Sequence, residues 1–316
     1  MRTGAMRVPD DEANRVRSWR ALPEWAHPGT SLAVLGHPIA HSISPAMHNA
    51  ALQKMAEADP RFADWAYFKF DVPPEELPEA LPAFFNAGFR GLNLTIPHKV
   101  DALDLVAQVQ ADAAKMGAVN TLVRAEQLGG FTGDNSDGHG LEQALLQDLD
   151  VTLEGAKVVL LGAGGAARAA AVQCLLSGCV ELWIGNRTPE RLRGLAELLA
   201  GVSNTAVVRT FPLNQLPEAL PRAGALIVNA TSVGLKDGQD RPMDLSSFDA
   251  STRVYDMIYN PAETPLLRQA RELGMRGANG LSMLVWQGAR SLEIWCEADV
   301  PADVMQTAAR GALGLA

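Results

Sequence analysis

The sequence predicts an α/β protein of two domains, each with a mostly parallel sheet. Three observations carry this. Short apolar runs alternate with helical patterns from Ser31 onward. One run, Val158 to Leu161, enters Gly162, Gly164 and Gly165 directly and leaves as an Ala-rich helix, the strand, turn and helix of a Rossmann-type dinucleotide-binding unit. A segment dense in turn residues, Gly133 to Gly140, separates the series before that unit from the series it opens.

Residues 1–29 are polar and mixed in charge, with Arg2, Arg7, Arg15 and Arg17 among Pro9, Pro23 and Pro28. They are read as an extension that Trp19 and Trp25 could anchor. Leu32–Leu35 is the first strand. Ser44 before Pro45 reads as an N-cap with proline at the first helical position, opening a helix to about Ala58. Trp65–Phe70 is a second strand, Pro74–Ala87 a helix, and Gly91–Ile96 a third strand stopped by Pro97. A helix from about Val100, a second helical stretch to Met116, and a strand at Val119–Val123 follow, with Gly129-Gly130 as a hairpin turn into Phe131.

A helix striped with Leu141, Ala144, Leu145 and Leu149 then leads to the glycine turn. After it come a strand at Val180–Ile184, a helix at Pro189–Leu199, and strands at Val207–Val208, Ala225–Val228 and Val254–Tyr259. Gly280 introduces a long apolar-striped helix, Ser282 to Cys296, and a last helix occupies about Pro301 to Arg310.

The chain of 316 residues carries a formal net charge of −9, which argues against nucleic acid or an acidic membrane surface as a partner. Any anionic substrate must therefore be held by local groups. Cys174, Cys179 and Cys296 are odd in number and lack metal-ligand spacing, so a reducing, cytoplasmic setting and no metal site are expected. No secretory signal follows the N-terminal arginines, and Arg168 interrupts the longest apolar run. A homodimer is left open.

The glycine turn points to its ligand. Gly162 suits the tight turn, Gly164 allows a pyrophosphate close to the main chain, and Ala167 takes the small position where helix meets strand, with Ala163, Gly165 and Ala166 completing the loop. At the tip of the next strand, where a carboxylate would hold the ribose hydroxyls of NAD, stand Asn186, Arg187 and Thr188, with Arg191 one turn on. A guanidinium pairs with a 2′-phosphate, so NADP(H) is the expected cofactor.

A nicotinamide enzyme that reduces a ketone needs a proton donor beside the carbonyl. Lys99, just past a strand end, and Asp137, at the opening of a helix, could supply one as a pair. Ser42 and Ser44 sit just ahead of a helix, a place suited either to a small carboxylate or to simple capping. Asn93, Thr95 and Asn120 are polar residues in apolar strands, where each must pair with backbone or with a ligand.

The chain resembles the shikimate dehydrogenase family. The matching segments are Gly36–Asn49 (GHPIAHSISPAMHN), Asn93–Lys99 (NLTIPHK), Ala118–Thr121, Asp134–Gly138, Gly162–Arg168, Asn186–Thr188, Asn229–Gly234, Tyr255–Tyr259 and Gly280–Gln287, in family order from about residue 31 to the C-terminus. The resemblance implies NADPH-dependent reduction of 3-dehydroshikimate to shikimate, a step of aromatic amino acid and chorismate biosynthesis. It implies that Lys99 and Asp137 are the catalytic pair, without saying which donates the proton. By the same resemblance Ser42 and Ser44, with Tyr259, hold the substrate carboxylate, while Asn93, Thr95, Asn120 and Gln287 contact ring hydroxyls or order the pair. Thr231, Met257 and Gly280 join the glycine turn and Asn186–Thr188 on the cofactor side.

The resemblance further implies a substrate-binding catalytic domain of residues 30–136 plus 280–316, an NADP-binding domain of 137–279, and an active-site cleft between them. Ser136 stands where the family usually has Thr, and Ser282 where Gly is common. Three other readings compete, one of them a two-domain folate-linked methylene dehydrogenase, against which the paired serines, suited to a small carboxylate, argue. A quinate/shikimate dehydrogenase using NAD shares most of these motifs, though Arg187 and Thr188 argue for NADP; a non-catalytic sensor of shikimate-like acids would be free to lose Lys99, Asp137 or the glycine turn, and none is lost.

Overall fold

The computed structural model describes residues 8–202, 205–236, 238 and 240–315, so Arg2 and Arg7 lie outside the described residues. The chain divides into two compact units. The first holds the chain up to Ala114, Ala118–Ser136 and Gln287 onward; the second holds Lys115–Gly117 and Asp137–Trp286.

The first unit contains, in order, α1 (Asp10–Asn14), β1 (Val16–Ser18), β2 (Ser31–Gly36), α2 (Ser44–Ala58), β3 (Ala66–Asp71), α3 (Leu77–Asn86), β4 (Gly91–Leu94), β5 (Gln108–Val109), the start of α4 (Ala111–Met116, whose last two residues are counted with the second unit), β6 (Thr121–Ala125) and β7 (Gly130–Asp134). Its sheet runs β1-β3-β2-β4-β6-β7-β5. It is parallel from β1 through β4, antiparallel across β4–β6 and β6–β7, and parallel again between β7 and β5. Strand β2 is buried along its whole length because neighbours pair on both sides and helices cover it, which is why it reads as a continuous apolar run rather than an alternation.

Several segments differ from the sequence expectation, α1 and the two-residue β5 among them. Residues 16–18, set apart as part of an extension, form an edge strand on β3, and Trp19, Leu22 and Trp25 pack into the first unit's core. The third strand ends at Leu94, not Ile96, because His98 N–H bonds back to Thr95 O at 2.9 Å and turns the chain. The helix expected from Val100 is one 3-10 stretch, Asp101–Asp104.

The second unit contains α5 (Asp137–Leu149), β8 (Lys157–Leu161), α6 (Gly165–Leu176), β9 (Glu181–Asn186), α7 (Pro189–Leu199), β10 (Val207–Pro212), β11 (Leu226–Asn229), β12 (Arg253–Asp256), α8 (Pro265–Glu272) and β13 (Arg276–Asn279). The six strands are all parallel in the order β10-β9-β8-β11-β12-β13, so the direction of winding reverses between β8 and β11. That reversal opens a crevice at the carboxyl ends of these two strands, where this class of sheet binds ligands. Ala167, Ala169, Ala170 and Ala171 of α6 are buried, and their small side chains let the helix axis approach the sheet closely.

Strand β12 stops at Asp256 rather than Tyr259, since the Asp256 carboxylate accepts the Ile258 N–H at 3.1 Å and bends the backbone out of the ladder. Strand β13 and helix α8 were not anticipated. Helix α9 (Leu281–Cys296) then carries the chain from the second unit into the first, the change falling between Trp286 and Gln287 rather than at Gly280. The last helix, α10 (Ala302–Ala312), packs on α2. Among the described residues no helix is long and apolar enough to cross a membrane.

Candidate active site

In the second unit the glycine turn sits at the β8–β11 crevice. Gly162 has φ +118°, and a side chain there would meet the Ala230 carbonyl oxygen at 3.0 Å and the Thr231 methyl at 3.3 Å. Only glycine holds that backbone without strain. The turn is fastened on both sides, by Gly162 N–H to Gly185 O at 2.8 Å and by Ala230 N–H to Leu161 O at 2.8 Å. Ala163 is buried beneath it. Gly164 is exposed, and a β-carbon added there would meet nothing within 4 Å, while Gly165 and Ala166 are half-buried at the start of α6. No side chain caps that helix, so its first N–H groups face an open approach.

At the tip of β9, Asn186 is half-buried and its amide donates to Thr188 O at 3.2 Å, while Arg187, Thr188 and Arg191 are exposed. No acidic residue stands at the strand tip itself, Asn186-Arg187-Thr188; Glu190, exposed in the first turn of α7, pairs with Arg193 at 3.3 Å. A dinucleotide with an anionic group on its ribose fits these residues: the turn admits its pyrophosphate, and the arginines meet the extra charge.

The rest of the crevice is ordered from below. Asn229, at the end of β11, donates to Asp256 at 2.9 Å and accepts from the Thr231 N–H at 3.0 Å and hydroxyl at 2.7 Å. Thr264 donates to the second Asp256 oxygen at 2.7 Å. Burial pushes the Asp256 carboxyl up to about 6. Gly280 lies against Met257 so closely that a β-carbon would come within 2.1 Å of its carbonyl oxygen, which brings these two expected cofactor residues together. Tyr259, three residues past β12, is half-buried, and burial raises its pKa. Ser282 is buried and donates to Asp148 of α5 at 2.9 Å.

In the first unit, Asn93 of β4 and Asn120, just ahead of β6, are buried and share one hydrogen-bond network. Asn93 donates to Asn120 O at 3.0 Å and to Ser291 Oγ at 2.9 Å, and accepts from the Tyr67 hydroxyl at 2.7 Å. Asn120 accepts from the Ser136 N–H at 2.8 Å and from the Thr121 hydroxyl at 2.8 Å, and donates to Ser136 Oγ at 3.0 Å and to Gln287 Oε1 at 3.5 Å. Both Asn93 amide hydrogens are thus spent on the protein, so this side chain orders the site rather than donating to a ligand. Tyr67, Thr121 and Ser291 were missed from the sequence. A tyrosine in an apolar strand and a serine inside an apolar helix stripe were the available signals.

Thr95 sits at the carboxyl end of β4 against Gly36, where a β-carbon would strike the Thr95 methyl at 2.4 Å. Lys99 follows in the same loop and is half-buried; its carbonyl accepts the Val119 N–H at 2.8 Å, which ties the loop to the residue before Asn120. Asp137 is buried and opens α5, one residue beyond Ser136.

Helix α2 begins at Ser44 with Ile43 at the cap position, and the bond there runs from Ser44 N–H to Ser42 Oγ at 3.4 Å, so the capping hydroxyl is that of Ser42 and not of Ser44. Below them His48 donates from Nδ1 to Ser44 O at 2.8 Å and stacks on Tyr67 with ring centroids 3.9 Å apart; burial drives its pKa down to about 4, so the ring is neutral.

Comparison with known proteins matches residues 34–122 to the shikimate dehydrogenase substrate binding domain, 144–237 to shikimate / quinate 5-dehydrogenase, and 280–310 to the shikimate 5'-dehydrogenase C-terminal domain. A shikimate dehydrogenase (NADP(+)) of Geobacter metallireducens is 39% identical over 89% of this chain and 96% of its own length. The chain belongs to the shikimate dehydrogenase family.

Among solved structures, a shikimate 5-dehydrogenase from Thermus thermophilus, in complex with NADP(H) and shikimate, is 39% identical with a TM-score of 0.77 over 90% of this chain and 99% of that one. A quinate dehydrogenase from Corynebacterium glutamicum, in complex with NAD, is 27% identical with a TM-score of 0.77 over 89% of this chain and 98% of that one. Chains of this one fold are thus seen in complex with NADP(H) and in complex with NAD, so the fold by itself does not decide between the two cofactors.

Proposed function

We propose that the chain is an NADP-dependent shikimate dehydrogenase that reduces 3-dehydroshikimate to shikimate in the cytoplasm. The observation that carries the cofactor choice is the tip of β9, where Asn186-Arg187-Thr188 puts an exposed guanidinium, and not a carboxylate, at the position that meets the ribose. The substrate choice draws on the relatives named shikimate dehydrogenase (NADP(+)) and on the Thermus enzyme in complex with shikimate.

NADPH, when bound, supplies the hydride to the ketone carbon. Lys99 and Asp137 serve the oxygen of that ketone: one of the pair delivers the proton, and the carboxylate holds the ammonium in place. Ser42 and Ser44, with Tyr259, take the substrate carboxylate. The Asn93–Asn120 network fixes Thr95, Lys99 and Gln287 relative to the ring hydroxyls, a task that calls for rigid, fully bonded amides.

The test is a direct assay. Purified protein is mixed with NADPH and 3-dehydroshikimate and cofactor oxidation is followed, then repeated with NADH and, in the reverse direction, with quinate. NADPH-linked turnover is expected. Rapid quinate oxidation with NAD and little shikimate oxidation with NADP would replace the proposal by a quinate dehydrogenase; binding without turnover would replace it by a sensor.

A further inference from the structure

Lys69 lies in the middle of β3, between Phe68 and Phe70, and is 5% exposed. No carboxylate among the described residues lies within ion-pair distance of it. Its ammonium instead donates to Ala40 O at 2.9 Å and Ser42 O at 3.1 Å, both in the loop that leads to α2. A buried cation with no counter-anion is a costly feature in an apolar strand. Such a residue calls for something to repay it.

The two carbonyls suggest what that is. In a trans peptide the C=O and the following N–H point in opposite directions. With Ala40 O and Ser42 O turned to the Lys69 ammonium, the N–H groups of His41 and Ile43 are turned away from it, and neither has an acceptor among the described residues. Ser42 Oγ accepts from Ser44 N–H, which leaves the Ser42 hydroxyl hydrogen to donate outward. The loop thus has a buried positive charge on one side and, turned away from it, the N–H groups of His41 and Ile43, with the Ser42 hydroxyl hydrogen also left to donate.

Resting on the proposed reading of Ser42 and Ser44 as the carboxylate site, we propose that Lys69 is a positioning residue for substrate recognition: it orients the loop peptides toward the substrate carboxylate and supplies the charge that this carboxylate balances. A role in holding the fold alone would leave the loop indifferent to the charge of what binds there. A role in recognition makes the residue matter for the acid and not for an uncharged analogue.

The experiment compares shikimate with its methyl ester, each oxidised with NADP+, in the wild type and in Lys69→Met, Lys69→Gln and Lys69→Arg. For Lys69→Met, kcat/KM for shikimate is expected to fall about tenfold, mostly through KM, while kcat stays within about threefold and KM for NADP+ is unchanged. The preference for the acid over the ester should shrink by the same factor. Lys69→Arg should recover part of that preference, and Lys69→Gln, which donates without charge, should not.

An equal loss on acid and ester, or no loss on either, overturns the proposal. If Lys69→Met does not fold, the comparison of Lys69→Arg with Lys69→Gln decides the question, both keeping a hydrogen-bond donor. Failure of the wild type to oxidise shikimate at all would remove the functional reading itself, an outcome distinct from a wild type that works and variants that keep their acid preference.

Discussion

Asn93 and Ser291, 198 residues apart in the sequence, meet at 2.9 Å through an amide N–H and a hydroxyl oxygen, both buried. This single bond fastens the later half of α9 to β4. The same serine oxygen lies 2.7 Å from Thr121 Oγ1 and 3.0 Å from Ser136 Oγ, and its own hydrogen goes to Gln287 O at 3.0 Å. Four segments distant in sequence are thereby held by one hydroxyl.

Replacing Ser291 by Ala strips the acceptor from a buried amide without giving water access to it. The cost of such an orphaned donor is about 1–3 kcal/mol. Ser291→Ala should lower the urea midpoint by the corresponding amount while the slope stays constant; an unchanged midpoint would show that the network contributes nothing.

Lys99→Ala should keep the dissociation constant for shikimate within about tenfold and lower kcat by at least about a hundredfold, because the proposed Lys99–Asp137 pair serves the ketone oxygen in the transition state rather than in binding. Equilibrium titration and steady-state kinetics on the same preparation separate the two quantities. Near-normal turnover in this variant would take Lys99 out of the mechanism.

Arg187 is exposed at the tip of β9, and its proposed partner is a phosphate that NAD lacks. Arg187→Ala should raise KM for NADP+ by roughly tenfold or more, the worth of a charge-assisted contact, and leave KM for NAD+ unchanged. Equal effects on both cofactors would mean that the guanidinium does not read the 2′ position.

His48 is fully buried and its pKa is pushed down to about 4 by desolvation, against an ordinary value of 6.5. A depressed folded-state pKa means that the unfolded chain takes up the proton first. The contribution of His48 to stability is therefore complete above about pH 6.5 and is lost as pH falls toward about 4, on the order of 3 kcal/mol across that window. His48→Asn keeps a donor for Ser44 O and cannot titrate. Denaturant unfolding at steps from pH 7 to 4 should show a shallower loss for the variant than for the wild type, and parallel curves would disprove the assignment.

The longer elements were legible because their side chains carry the signal. Helix α7 spans Pro189–Leu199 as its caps and spacing indicate, and the buried stripe of Leu141, Ala144, Leu145 and Leu149 on α5 follows from their spacing. Strands β1, β5 and β13 escaped for the opposite reason. They are two to four residues long, lie at or beside sheet edges, and are held by the backbone ladder of a neighbour. Nothing in Arg276-Gly-Ala-Asn279 announces a strand; β12 beside it does.

The residues alone reveal the chemistry available: a glycine turn with no acidic residue at the next strand tip, a lysine and an aspartate after strand ends, and two serines ahead of a helix. These are local patterns, and local backbone geometry follows from a few adjacent residues. How the polar residues are employed emerges only once the chain is folded. Asn93 could have bonded backbone or ligand, and its amide is instead divided between Asn120 and Ser291; Lys69, an unremarked lysine among phenylalanines, turns out to grip the loop of Ser42. Hydrogen bonds between residues far apart in the chain leave no periodicity behind, because a buried polar group takes whatever partner the packing brings to it.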